Sequence, residues 1–339
     1  MTQQTAWKHF EAISRYALSV APRTYLSDIR ARLRDSQIPA AVMRRDTSAI
    51  FNWLVDVSQF QGISDANAIA YGRRHGLIEW GDVFPDIESS PSCPRLRCFW
   101  AFDRCGYRKT THSCAEPSYL GFCSLPTHPA RKGSLTVAAH SLALFIRDVC
   151  DGDFLGWIDQ RLADADPGPA AADRSELMTA ALLGPLTGIY GIGHKVWSMA
   201  LADLLLAGDP NRERWMTTGA GMVVIDTLMH NFLHRTGVLR RFEADHAYGP
   251  QCYGLGGCAG LIRGLASRID ARQFNQEFPA CFPRFVQSAV WRMCSASELN
   301  ICNGNRIDDQ NRCENYVCPA FNICDRIALY DLRTSHTQH

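Results

Sequence analysis

Residues 182–206, LLGPLTGIYGIGHKVWSMALADLLL, decide how the rest of the chain is read. Two apolar helical runs meet there at Gly188, Gly191 and Gly193. Glycine permits a positive φ and lets a ligand come close to the main chain, so the spacing predicts two helices joined by a tight, bare turn. Past Gly193 the amides of His194, Lys195 and Val196 open the second helix, and a helix N-terminus is a seat for phosphate. Nucleic acid is therefore the first ligand to consider, although glycines at a helix corner also serve as plain steric relief. A second segment, VVIDTLMHNFLHRTG (223–237), places Asp226 after an apolar run and before an apolar helix, a position suited to an N-cap.

At 339 residues and 46% apolar content, the chain is long enough for one large or two ordinary domains with their own cores. A net charge of only +1 excludes a globally basic protein, so any nucleic-acid binding needs a local basic face. The candidates are Arg95, Arg97, Arg104, Arg108 and Lys109, then Arg131 and Lys132, then Arg235, Arg240 and Arg241. Met1 to Arg15 is polar and amphipathic rather than a secretion signal, and no run approaches the roughly 20 apolar residues of a membrane span. A cytoplasmic monomer with no membrane partner is expected. Its fourteen cysteines then read as metal ligands and buried thiols rather than disulfides.

Apolar periodicity predicts helices over 5–45, 50–76, from Leu135 onward, after Asp226 to about His234, and through FPRFVQSAVWRMC. Strand-like alternation is nearly absent, so the expected class is all-α. Residues 82–134 break the pattern with six prolines and five cysteines, and are read as an irregular insertion. Cys98, Cys105, Cys114 and Cys123 there form a candidate second metal site, with His112 and His128 nearby, against the alternative of buried thiols. Asp173 or Ser175 can cap the helix that leads into the hairpin. His230 and His234 are spaced one turn apart, but a pair without a third ligand reads as a packed or solvated face.

The tail runs C302-x10-C313-x4-C318-x5-C324, with Cys294 eight residues upstream. Thiolates this dense hold either zinc or an iron-sulfur cluster. The set is Cys302, Cys313, Cys318 and Cys324. Cys294 is the alternative first ligand, set second because it falls inside an apolar helix.

IYGIGHKVW and VVIDTLMHNFLHRTG together resemble the helix-hairpin-helix plus Gly/Pro-Asp superfamily of DNA glycosylases, of the endonuclease III type. Two departures are visible. Tyr190 stands where proline is usual, and GDPNRERWMTTGAGM lengthens the interval between Lys195 and Asp226. The closing CPAFNIC is similar to the last two ligands of that family's 4Fe-4S loop.

The resemblance implies a helical barrel domain at 48–235 carrying the insertion, and N-terminal helices 1–47 packed with a C-terminal cluster domain at 236–339. It implies duplex DNA as partner, with Gly188, Gly191, Gly193 and His194 gripping the backbone and Gln59 or Gln61 in SQFQGISD filling the hole left by an extruded base. It further implies a 4Fe-4S cluster with zinc as alternative, and a base-excising glycosylase with AP lyase activity. Lys195 would be the Schiff-base nucleophile and Asp226 the stabilising carboxylate. The alternatives are a non-catalytic DNA-binding iron-sulfur protein that keeps hairpin and cluster as a grip, or a zinc-stabilised interaction protein without nucleic acid.

Overall fold

Apolar residues recurring every three to four positions make this chain mostly helical, as a computed structural model bears out. It describes residues 2–59, 65–89, 91–108, 110, 111, 113–121, 123, 125 and 133–329. Among them, strand is confined to one antiparallel pair, Tyr107–Arg108 with Ser113–Cys114. Among the described residues no helix is long and apolar enough to cross a membrane.

By contacts the chain divides into two units, 29–219 and a second made of 1–28 with 220–339. The boundaries read from sequence, 47/48 and 235/236, thus fall elsewhere. The apolar stripe of Tyr25–Asp35 does not distinguish a helix that ends one unit from a helix that begins the next.

In the 29–219 unit, the helix Thr47–Ser58 starts at Asp46, whose carboxylate accepts from the Ala49 amide at 3.0 Å. It buries Ile50, Phe51, Leu54 and Val55. The helix Ser134–Asp148 is apolar on most of its circumference, and is correspondingly buried from Leu135 to Ile146. Each such Leu, Ile or Phe contributes about 1.5–3 kcal/mol by leaving water. Trp80–Glu88 is also helical, although it contains Pro85, because Glu79 and Asp82 close a reciprocal capping box at its start. The irregular insertion therefore begins after this helix rather than at residue 82.

Phe154–Ala165 packs on Arg174–Leu186, the first helix of the hairpin; His194–Ala207 is the second. Neither expected cap forms at Arg174–Leu186. Asp173 makes no capping bond, and Ser175 donates to the Thr217 carbonyl. The buried Arg174 instead bridges Asp166 and Glu213 with bidentate bonds of 2.6–2.8 Å.

In the other unit, Gln3–Ser19 lies against Pro283–Cys294, which also packs on Thr227–Arg235 and on Cys258–Ala266. Phe10 and Ile13 from the start of the chain and Phe285, Val286 and Val290 from its later part share this core.

Candidate functional site

The hairpin forms where the glycines predict it. Of the three, only Gly191 takes the left-handed conformation, at φ +75°, while Gly193 is extended and caps the second helix. The Val196 amide is committed to the Gly193 carbonyl at 3.0 Å, which removes it from the phosphate seat. His194 and Lys195 open the helix half-buried, and the His194 ring lies 3.2 Å from Ser198 Oγ. Among the described residues no carboxylate pairs with Lys195. Tyr190 has a use that proline lacks: its amide donates to the buried Ser141 Oγ at 2.9 Å, and its ring meets Phe102 edge-on. Beside the hairpin, Phe99, Phe102 and Asp103 from the insertion and Thr187–Gly193 line a cleft of about 460 Å³.

Asp226 lies in the other unit, half-buried at the N-cap of Thr227–Arg235. Its Oδ1 accepts from the Met229 amide at 2.9 Å and its Oδ2 accepts from Trp291 Nε1, also at 2.9 Å. The preceding residue, Ile225, is held at both backbone groups by the Tyr253 hydroxyl, at 2.9 and 3.1 Å.

Cys302, Cys313, Cys318 and Cys324 line one cavity, together with Phe232, Arg235 and Met293. The amides of Ala320 and Arg326 donate to the sulfurs of Cys318 and Cys324, two residues back along the chain. Burial pushes both of these thiols up, which ligation by a cation would offset. The Cys302 thiol is held below its ordinary value by a bond from Cys294 and by the adjacent Arg235 guanidinium. Cys294 is fully buried in its helix and does not line the cavity.

Arg235 and Arg241 were candidates for a basic face. Arg235 is instead buried and paired with Asp309, and Arg241 pairs with Asp325 at 2.6 Å, which leaves only Arg240 of the three exposed.

A four-residue group that the sequence reading left unassembled lies in the same unit. His230, His246, Cys252 and Cys258 bring one ligand atom each to within 4.8 Å of one another. Cys252 Sγ and Cys258 Sγ are each 3.5 Å from His230 Nδ1, and Cys258 Sγ is 3.4 Å from His246 Nε2. This group can hold a metal ion. His234 takes no part; its ring is turned to the Ala328 carbonyl at 3.3 Å. The signal was present as H-x15-H-x5-C-x5-C, but without a tight cysteine pair to mark it.

In the insertion, Cys93, Cys114 and Cys123 lie near Cys105. Burial lifts the Cys105 thiol to about 11, and Cys123, Cys114 and Cys93 beside it add to the rise. Amides two residues ahead, of Tyr107, Glu116 and Leu125, donate to Cys105, Cys114 and Cys123. Cys98 instead precedes the short helix Phe99–Phe102. His112 and His128 lie outside the described residues, as does Gln61. Gln59 is buried and its amide donates to Asp56 at 2.8 Å, so it is not displayed as a wedge. Comparison with family models, curated proteins and solved structures finds no match to this chain.

Proposed function

We propose that this protein is a DNA glycosylase with AP lyase activity, acting on an altered base extruded from duplex DNA. The observation that carries the reading is the two-helix glycine hairpin, in which the left-handed turn at Gly191 delivers Lys195 to the open end of a helix. That end offers backbone amides to a phosphate, and the cleft beside it is lined by aromatic rings that can lie against a nucleotide.

In this reading the base-sugar bond breaks as the Lys195 amine attacks C1′, and the departing base takes up the proton that the nitrogen sheds. Opening of the sugar gives a Schiff base, from which β-elimination expels the 3′ phosphate. Positive charge develops on the sugar before bond formation is complete, and the Asp226 carboxylate stabilises it. The Met229 and Trp291 donors hold that carboxylate in one orientation.

Four cysteines lining one cavity, two of them with amide donors to sulfur, suit a 4Fe-4S cluster on Cys302, Cys313, Cys318 and Cys324. When bound, the cluster supplies a structural anchor for the final loop. Cys93, Cys105, Cys114 and Cys123 suit a structural zinc in the insertion. The helical barrel of the glycosylase superfamily is part of the same proposal.

The test is borohydride trapping across a panel of duplexes carrying altered bases. A covalent complex that Lys195→Gln abolishes supports the lyase. Salt-sensitive binding with neither trapping nor base release on any duplex replaces it with a non-catalytic grip on DNA.

A further inference from the structure

The four donor atoms of His230, His246, Cys252 and Cys258 are gathered more closely than hydrogen bonds alone require. His230 Nδ1 has one lone pair, yet both sulfurs stand 3.5 Å from it. If Cys252 donates to it and Cys258 donates to His246 Nε2, the Cys258 sulfur still stands against His230 Nδ1 with no bond between them. A cation at the centre serves all four atoms at once. Tetrahedral zinc, with sulfur at about 2.3 Å and nitrogen at about 2.05 Å, sets sulfur and nitrogen about 3.6 Å apart along each edge. The observed separations are 3.5, 3.5 and 3.4 Å.

A two-iron cluster on two cysteines and two histidines would place the sulfurs on one iron and the nitrogens on the other. Here Cys258 Sγ lies against both imidazoles, which selects a single ion. Two sulfurs with two nitrogens in that shape favour zinc. His246 is also prepared for ligation: Nδ1 donates to the Ala244 carbonyl at 2.6 Å, which leaves the lone pair on Nε2 facing the group.

The site is tied to Asp226 from two directions. His230 lies one helical turn beyond it, and the His230 amide donates to the Asp226 carbonyl at 3.0 Å. Tyr253 follows Cys252 directly and grips Ile225, the residue before Asp226.

We propose that His230, His246, Cys252 and Cys258 bind one zinc ion, and that this ion fixes the backbone on both sides of Asp226. The zinc is structural, since all four positions are filled by the protein. The site stands whether or not Asp226 is catalytic; its role as a positioning device for catalysis rests on the function proposed above.

Zinc K-edge absorption on the purified full-length protein tests the site without any DNA. Imidazole scattering together with sulfur is expected, because the cysteine group of the insertion contributes sulfur alone. A spectrum fitted by sulfur without imidazole, or a protein that takes up no zinc, overturns the proposal. In parallel, Cys258→Ser and His246→Asn each lower zinc content by about one ion per chain, as loss of one four-ligand site requires. Both variants also speed hydrogen exchange at amides 225–232 and leave 47–58 unchanged. Zinc retained in both variants overturns the site, and unchanged exchange at 225–232 overturns its hold on Asp226. A glycosylase reading that fails its trapping assay leaves each of these readouts intact.

Discussion

Replacing Asp226 separates a helix cap from a catalytic carboxylate. The side chain accepts two bonds, one from the Met229 amide and one from Trp291 Nε1, both at 2.9 Å. Asparagine caps as well as aspartate does, so Asp226→Asn keeps the first bond and presents an amide NH2 to the indole. Bonds to a charged acceptor contribute about 1.5–3 kcal/mol when shielded, and water replaces part of that at this half-buried position, so the expected loss is about 1 kcal/mol. Asp226→Ala loses the cap as well, worth about 1 kcal/mol more.

Neither loss unfolds a domain with ordinary stability. The chemical step, in contrast, loses its electrostatic stabiliser in both variants, which costs roughly 10²- to 10³-fold in rate. The assay is single-turnover base release on a duplex that the wild type processes, alongside urea unfolding of the same preparations. Equal, large rate losses in the two variants, against unequal stability losses, support the carboxylate's role. An Asn variant that releases base at the wild-type rate, with only the Ala variant impaired, would refute it and leave Asp226 as a cap.

Other expectations follow from single contacts. Tyr190→Pro restores the glycosylase pattern, yet it strands the buried Ser141 hydroxyl and removes the ring packed on Phe102, for a combined loss of about 2–4 kcal/mol in chemical unfolding. A variant as stable as wild type would show that the Ser141 bond contributes nothing. Gly237→Ala forces a side chain into φ +81° and onto Asp325, breaking its pair with Arg241, and lowers the melting temperature. Since Asp325 follows Cys324, the same variant also lowers iron uptake at the proposed cluster.

Burial lowers the His140 pKa below 6.5, as it does that of His234. The neutral ring is favoured in the fold, so its stabilisation is complete above pH 6.5 and is lost as pH falls from there toward the folded value. Within that window each such group removes about 1.4 kcal/mol per pH unit. Melting at pH 7.5, 6.5 and 5.5 reads this slope, and His140→Leu flattens it. Cys318→Ser abolishes visible absorption from a bound cluster, whereas Cys294→Ala retains it.

The helical class and the hairpin were legible because both are local. Apolar spacing sets each helix, and a glycine such as Gly191 announces its own turn. Asp226 was legible for the same reason, as a capping residue ahead of an apolar helix. The His230 group was hidden because its members come from a helix, an irregular loop and the start of another helix, with intervals that carry no period. The pairing of His230 with His234 by helical spacing was misleading: the two rings diverge, one toward Cys252 and the other toward Ala328. Arg235 looked like a surface charge until its partners Asp309 and Cys302, from the distant tail, closed over it.

The unit that holds Asp226 takes its first helix from residues 3–19 and most of the rest from residue 220 onward. During synthesis that helix leaves the ribosome with its apolar stripe uncovered, and waits while the whole of the 29–219 unit is made. The latter can close on itself as soon as it emerges. The former cannot, and neither can the cysteines and histidines that depend on it, so those side chains come together only once the later segments have been made.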